Sequence, residues 1–385
     1  MTLRKTIIYV NFSPYENAGN ILDYVLDCYA TVLSFTFNFH KISTKQQQSR
    51  LRIYKNKHIV YECRLFQTPT NSSVAFILLP IRSLIILAQL FYHLLRLKNQ
   101  FGPYSVYFTV NAFTAWSGNV LRSLGLVKKT IFWVWDYYPP EHNNLIVRFM
   151  RFLYWQFDIP ATKQTDHLVF LNKRLATLRK ELGILPKNID YKVVGIGTNP
   201  ISTIHPVITQ PVTLAFIGVL KKSQGLDLVY RCGDMLAKRN PDITLHIIGG
   251  GPDETYYRKL ASNSSIRTIF HGYIKDTEQV NDILMHCHIG IAPYVPDKTN
   301  VAFYSDPSKI KKYIEVGLPV ITTNVFDFSN EILRNDAGII IPYSTSKFIQ
   351  AITKITKRHS YYQKQSLLLA KRFEYKNYYK DLIAV

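Results

Sequence analysis

Asp306-Pro307-Ser308-Lys309-Ile310-Lys311-Lys312-Tyr313-Ile314-Glu315-Val316-Gly317-Leu318-Pro319-Val320 holds a helix start, a helix, its stop and the opening of a buried strand. Asp306 and Ser308 flank Pro307, a combination suited to a helix N-terminus. Gly317 suits the left-handed residue that closes a helix. Lys309 falls in the first turn, where a cation opposes the helix dipole. That placement makes sense if an anion binds between the ammonium group and the free amides of the turn. The alternative is a lysine packed for structure alone.

Working outward, the same pattern recurs. Residues 212–217, 244–248, 266–270, 289–293 and 320–323 predict buried strands, and 226–239, 254–261, 278–286 and 308–316 predict the helices between them. Residues 5–11, 31–37, 58–66, 104–110, 130–135 and 167–171 predict strands in the first half. Helices are expected over 18–29, from about 74 to 97, and over 112–124, 144–157 and 173–183. Apolar strands alternating with helices mean an α/β protein, each sheet parallel and covered on both faces. The turn-rich stretch 191–211 divides the chain into two doubly wound halves.

In such sheets ligands sit at the carboxyl ends of the strands. Gly218 ends one predicted strand and Gly225 opens the next helix, with Lys221, Lys222 and Gln224 between them. Gly249-Gly250-Gly251-Pro252 and His271-Gly272-Tyr273-Ile274 follow two further strands. Each is a simple turn or a close approach of backbone to ligand. In the first half, the strand 130–135 delivers Trp135-Asp136-Tyr137-Tyr138-Pro139-Pro140. Asp136 is the candidate to orient an acceptor or take its proton, with a turn-capping role as the alternative. Trp133, Trp135, Tyr137 and Tyr138 are candidates to stack on sugar faces. Gly19, in the loop after the first strand, allows close approach of a ligand.

Composition narrows the partners. The formal net charge is +21, from 47 Lys plus Arg against 26 Asp plus Glu, so anionic partners are favoured. Nucleic acid is not expected, because no helix-turn-helix, zinc-finger or RNP-type motif accompanies the charge. The 4 cysteines form no C-x-x-C pair, which points to a reducing compartment. His286-Cys287-His288 sits in an apolar stretch with no second ligand pair nearby, so packing is expected there and no metal. The apolar stretch 74–97 contains Pro80 and Arg82 and ends in Phe91, Tyr92, Arg96 and Lys98. It reads as a buried or membrane-lying helix, not a span. The start of the chain lacks the apolar core and cleavage site of a signal peptide. The expected location is cytoplasmic, peripheral on the inner face of a membrane.

The ordered set Gly218…Gly225-Leu226-Asp227, Ile248-Gly249-Gly250-Gly251-Pro252, His271-Gly272-Tyr273 and Asp306-Pro307-Ser308-Lys309…Gly317-Leu318-Pro319-Val320 resembles the C-terminal half of the glycosyltransferase family 4 group, over about residues 212–343. The resemblance implies a GT-B fold, two Rossmann-like domains facing a cleft. It implies an acceptor domain over 1–198, a nucleotide-sugar domain over 199–366, and a C-terminal helix within 367–385 returning to the first domain. It further implies retaining transfer from a nucleotide-sugar donor to a glycan or lipid-linked acceptor, with no metal or cofactor. Donor contacts would come from Gly218, Lys221, Lys222, Gln224, Gly250, Gly272, Tyr273, Ser308, Lys309 and Lys312. Acceptor contacts would come from Gly19, Trp135 and Tyr137, with Asp136 catalytic.

The chain departs from the family pattern in four places. Val219 and Gln224 stand where many relatives carry Arg and Lys, and Tyr304 and Lys312 stand where many carry a glutamate pair. These departures keep open a non-catalytic scaffold in polysaccharide assembly. A sugar-nucleotide epimerase on a similar double layout is the other alternative.

Overall fold

The computed structural model describes residues 4–13, 15–38, 48–67, 78–135, 137–185, 189–201, 211–239, 243–297 and 301–383. The chain forms two compact units: residues 1–195 with 375–385, and residues 196–374. The divisions expected from sequence fall after 198 and after 366, where the compact units change after 195 and after 374. Residues 367–374 belong to the second unit.

The first unit is built on β1 (Arg4–Ser13), β2 (Tyr29–Asn38), β3 (Arg50–Lys55), β4 (His58–Arg64), β5 (Tyr104–Thr109), β6 (Val127–Val134), β7 (His167–Phe170) and β8 (Tyr191–Val193), in the order β4-β3-β2-β1-β5-β6-β7-β8. Its helices are α1 (Ile21–Cys28), α2 (Leu79–Phe101), α3 (Ala112–Ser123), α4 (Leu145–Gln164) and α5 (Lys173–Glu181). Ile7, Ile8, Tyr9 and Val10 are all buried, as a strand covered on both faces requires.

Two expectations need correction here. β3 pairs antiparallel with both β2 and β4, so the sheet is mixed and not wholly parallel. β3 reads Arg-Leu-Arg-Ile-Tyr-Lys, whose alternating charges hid a strand with a single apolar face. α4 does not end at 157 but runs through Pro160 to Gln164, because Ala161 and Thr162 are still buried against the domain. The helix expected from 74 is described from Leu79, and residues 74–77 lie outside the described part.

The second unit carries β9 (Thr213–Ile217), β10 (Thr244–Ile248), β11 (Arg267–Gly272), β12 (Ile289–Ala292), β13 (Val320–Thr323) and β14 (Gly338–Ile341), all parallel, in the order β11-β10-β9-β12-β13-β14. Its helices are α6 (Asp227–Arg231), α7 (Gly233–Arg239), α8 (Glu254–Ser262), α9 (Thr277–Met285), α10 (Ser308–Glu315), α11 (Ser329–Arg334), α12 (Thr345–Lys357) and α13 (His359–Arg372). The helix expected over 226–239 is in fact two, broken at Cys232, which closes the first while Gly233 opens the second. α11 and β14 were not separated in the sequence. Along β9 the pleat sends Leu214 and Phe216 into one apolar layer and Ala215 into the other. The first layer takes Phe348, Ile349, Ile352 and Ile355 of α12; the second takes Ile310, Tyr313 and Ile314 of α10. Residues 375–378 (Tyr375–Tyr378, α14) belong to the first unit, where Tyr379 donates from its hydroxyl to the Gly19 carbonyl at 2.8 Å.

Candidate functional site

Strand order reverses between β9 and β12 in the second unit, the place where open α/β sheets hold ligands. The loops leaving β9, β10 and β11 are tied together there. Gly218 N–H donates to the Ile248 carbonyl at 2.9 Å, Leu220 N–H to the Gly250 carbonyl at 3.0 Å, and Gly249 N–H to the Gly272 carbonyl at 2.7 Å. Gly225 lies on the other side of the reversal with φ 75°, and a Cβ there would collide with the Pro293 carbonyl oxygen after β12. Only glycine joins the two halves of the sheet this closely.

Lys309 enters this edge from the first turn of α10. It is 8% exposed. Its ammonium lies 4.3 Å from the Phe216 ring centroid and 4.6 Å from that of Tyr294. It donates to Gln224 Oε1 at 2.6 Å, and a Cβ on Gly218 would approach Nζ to 2.9 Å. Burial without a carboxylate partner pushes its pKa down to about 7. Pro307 at its N-cap offers no side-chain hydrogen bond to α10, and the first turn contains no acid. A buried cation and uncapped amides therefore meet at the end of β9, beside Gly218.

Asp306, expected to start α10, is committed elsewhere. Pro307 occupies the cap position, and Asp306 Oδ2 accepts from the Lys311 ammonium at 2.5 Å and from Ile196 N–H at 2.6 Å. Lys311, buried over the Phe328 and Phe373 rings, needs that carboxylate. The other expected donor residues spread around the edge. Ser308 is exposed, and its N–H donates to the Asp306 carbonyl at 2.9 Å. Lys312 pairs with Glu315 at 3.0 Å, and Glu315, whose pKa burial raises, also accepts from Asn199 N–H at 2.8 Å. Lys222 lies 4.7 Å over the Tyr256 ring, while Lys221 is exposed. Gly272 has open space around it, and Tyr273 beside it is 47% exposed.

In the first unit, Asp136 lies outside the described residues. Trp135 stands edge-on to Trp133 at 5.0 Å, and its buried Nε1–H finds no hydrogen-bond partner among the described residues. Tyr137 is buried against Trp155 at 6.1 Å. Gly19 sits at φ 61° in the turn before α1. Three polar groups absent from the sequence expectations lie at the carboxyl ends of β1 and β2. Asn11 and Thr36 face each other in register, and Asn11 Oδ1, Thr36 Oγ1 and Glu16 Oε1 are buried without a partner among the described residues. Asn11 Nδ2 donates to Ser34 Oγ at 3.2 Å, and Glu16 Oε2 pairs with Arg50 at 2.7 Å. The available signal was polar residues at interior positions of otherwise apolar strands. Buried polar atoms left unpaired are uncommon enough to mark a binding surface.

Known proteins agree with this geometry. The structure is similar to sucrose-phosphate synthase from Thermosynechococcus elongatus, with a TM-score of 0.65 at 13% identity, covering 99% of this chain and 97% of the other. It is similar to a UDP-forming α,α-trehalose-phosphate synthase from Burkholderia vietnamiensis, with a TM-score of 0.63 at 11% identity over 99% and 98% of the chains. A lipopolysaccharide outer core galactosyltransferase matches with a TM-score of 0.57 at 15% identity over 98% and 97%. No curated protein sequence matches significantly. The fold is GT-B, and the chain is a glycosyltransferase. Residues 211–358, within the second unit, match the family model for glycosyl transferases group 1.

Proposed function

We propose that this enzyme transfers a sugar from a nucleoside diphosphate donor, held by the second unit, to a glycan or lipid-linked acceptor held by the first, with retention and without a metal. The observation that carries this reading is Lys309, buried beside Gly218 with Gln224 as its polar partner at an uncapped helix start. As the bond from the anomeric carbon to the diphosphate breaks, its electron pair passes to the phosphate oxygen. The Lys309 ammonium group and the α10 amides would stabilise that charge. The acceptor oxygen forms the new bond and loses its proton, a step for which Asp136 is the candidate on sequence grounds. Trp135 Nε1–H, Asn11 Oδ1 and Thr36 Oγ1 supply unpaired groups for acceptor hydroxyls. Gly272 and Tyr273 would frame the base, and the open space around the one and the exposure of the other support this. The net charge of +21 supports a peripheral position on the cytoplasmic face of a membrane, in synthesis of a lipid-linked polysaccharide.

The test is a thermal-shift screen against nucleoside diphosphates and their sugars, with chelator present, run in parallel on Lys309→Ala. One donor should raise the melting temperature of the parent protein and not of the variant. Stabilisation of both proteins equally would remove Lys309 from the site. No stabilisation by any donor would favour the scaffold instead.

A further inference from the structure

Two helices of the first unit are apolar on the side that faces water. α2 buries Ile86, Leu90, Leu94 and Leu97 against the sheet, yet Ile81, Leu84, Tyr92 and Leu95 form a second stripe that is exposed. A helix apolar on both faces needs a second apolar medium. α4 repeats the pattern at its start. Met150, Tyr154 and Trp155 are buried, while Leu145, Ile146, Phe149 and Phe152 are exposed, Leu145 to 74%. Scattered exposed apolar side chains are ordinary, but two whole stripes are not.

The stripes share one side of the unit. The connections β4 to β5, β5 to β6 and β6 to β7 all step in the same direction across the sheet. Right-handed crossovers therefore put α2, α3 and α4 on the same face, and α3 packs against both neighbours. Phe66, 66% exposed, is tied to the flank of α2. Its N–H donates to Gln89 Oε1 at 2.7 Å and its carbonyl accepts from Gln89 Nε2 at 3.3 Å. The backbone of an exposed aromatic residue is thus anchored to α2 by two hydrogen bonds.

The exposed charges on these two helices have one sign, although Glu141 is exposed just before α4. Arg96 and Lys98 on α2 and Arg148 on α4 are exposed. α2 contains no Asp or Glu, and the single acid of α4, Asp158, is fully buried, where it accepts from Arg179 at 2.9 Å. A second copy of the chain would meet these cations with its own. An anionic headgroup layer over hydrocarbon matches both the charge and the apolar stripes.

We propose that the outer faces of α2 and α4, together with Phe66, dock on a bilayer surface rich in anionic lipid. The proposal deepens the peripheral placement given above and rests on it. The starts of α2 and α4 lie at the carboxyl edge of the sheet, the edge that carries Trp135. Docking there would bring a lipid-linked acceptor to the groups that await one.

The test is co-sedimentation of the full chain with vesicles of phosphatidylglycerol and phosphatidylcholine, against phosphatidylcholine alone, at low and high salt. The parent protein should bind the mixed vesicles and be released by salt. Phe149→Ser with Phe152→Ser should weaken binding about tenfold or more, and Arg148→Glu about fivefold or more. Donor-induced thermal stabilisation, read on the same samples, should be unchanged in these variants. Parent protein that ignores mixed vesicles, or variants that bind as well as the parent, would overturn the docking surface. So would a dimer in sedimentation that the serine variants abolish, since a second copy would then cover the stripes. Vesicle binding without any donor response would instead leave the surface standing and remove the transfer reading.

Discussion

The two units share a parallel α/β core, extended in the first by an antiparallel hairpin, and finish the carboxyl edges of their strands in different materials. The second unit uses backbone: glycines after β9, β10 and β11, a helix start, and one buried ammonium group. The first uses side chains: Trp135, Asn11, Thr36 and Glu16, with unpaired polar atoms at the ends of apolar strands. A diphosphate is the same anion in every nucleotide sugar, so a backbone cradle serves it. Acceptors differ in their hydroxyls, and side chains can be exchanged to follow them. The contrast makes the second unit intolerant of added atoms and the first tolerant of exchange, and each half of that statement can be broken by experiment.

The largest effect should come from Gly225→Ala. The new methyl group meets the Pro293 carbonyl, backbone that cannot yield, at φ 75°. Overpacking and left-handed strain together should cost about 3–5 kcal/mol, read as an early unfolding transition of the second unit in urea. Gly272→Ala supplies the control. It carries a similar positive φ, 69°, with nothing near its Cβ, so strain alone should cost about 1–2 kcal/mol. Equal losses in the two variants would mean that close approach at the strand reversal is not what Gly225 provides.

Lys309 gives the next largest effect and a pH signature. Its folded pKa is pushed down to about 7 by burial, below the ordinary lysine value of 10.5. Between these values the unfolded chain holds a proton that the folded chain does not. Stability of the ligand-free protein should therefore rise with pH across this window. From pH 7 to 9 the gain should be about 2–3 kcal/mol, and Lys309→Met should lose it. A bound diphosphate restores the proton, so donor binding at pH 8 should take up close to one proton, measurable by calorimetry in buffers of different ionisation enthalpy. A parent protein with no rise, or a rise that persists in the variant, would show that this ammonium group is not held uncompensated.

What could be read in the chain follows the same division. Gly225, Gly249 and the Lys309 turn are conspicuous because each is the wrong residue for its local element unless something approaches closely. Strand and helix order in the second unit followed from apolar runs between those glycines. Hairpin β3–β4 was only half seen, since an antiparallel edge with one apolar face carries a weaker pattern than a buried parallel strand. Asp306 was read as a helix cap because the local sequence says so. Its actual partners, Lys311 and Ile196, are five and 110 residues away, and the longer-range of these contacts leaves no local trace. Asn11 and Thr36 become a pair only when β1 and β2 are in register. Side-chain sites are assembled by tertiary structure, so the acceptor edge was legible as aromatic residues but not as a set of unpaired atoms.

The smallest effect tests the first unit at its most specific point. Trp135→Phe keeps an aromatic ring to pack edge-on against Trp133 and removes the indole N–H, which has no partner among the described residues. Losing a donor that the protein itself does not use should leave folding stability nearly unchanged. If the N–H serves an acceptor hydroxyl, its loss should weaken acceptor binding by about 1 kcal/mol. That would appear as a rise of roughly fivefold in acceptor KM, with donor affinity unaltered if the donor is held by the other unit as proposed. A fall in donor affinity would mean that Trp135 senses the donor and that the two edges are not divided by substrate. A fall in stability with no kinetic change would return Trp135 to the core, leaving Asn11, Thr36 and Glu16 as the unpaired groups from which the acceptor site is built.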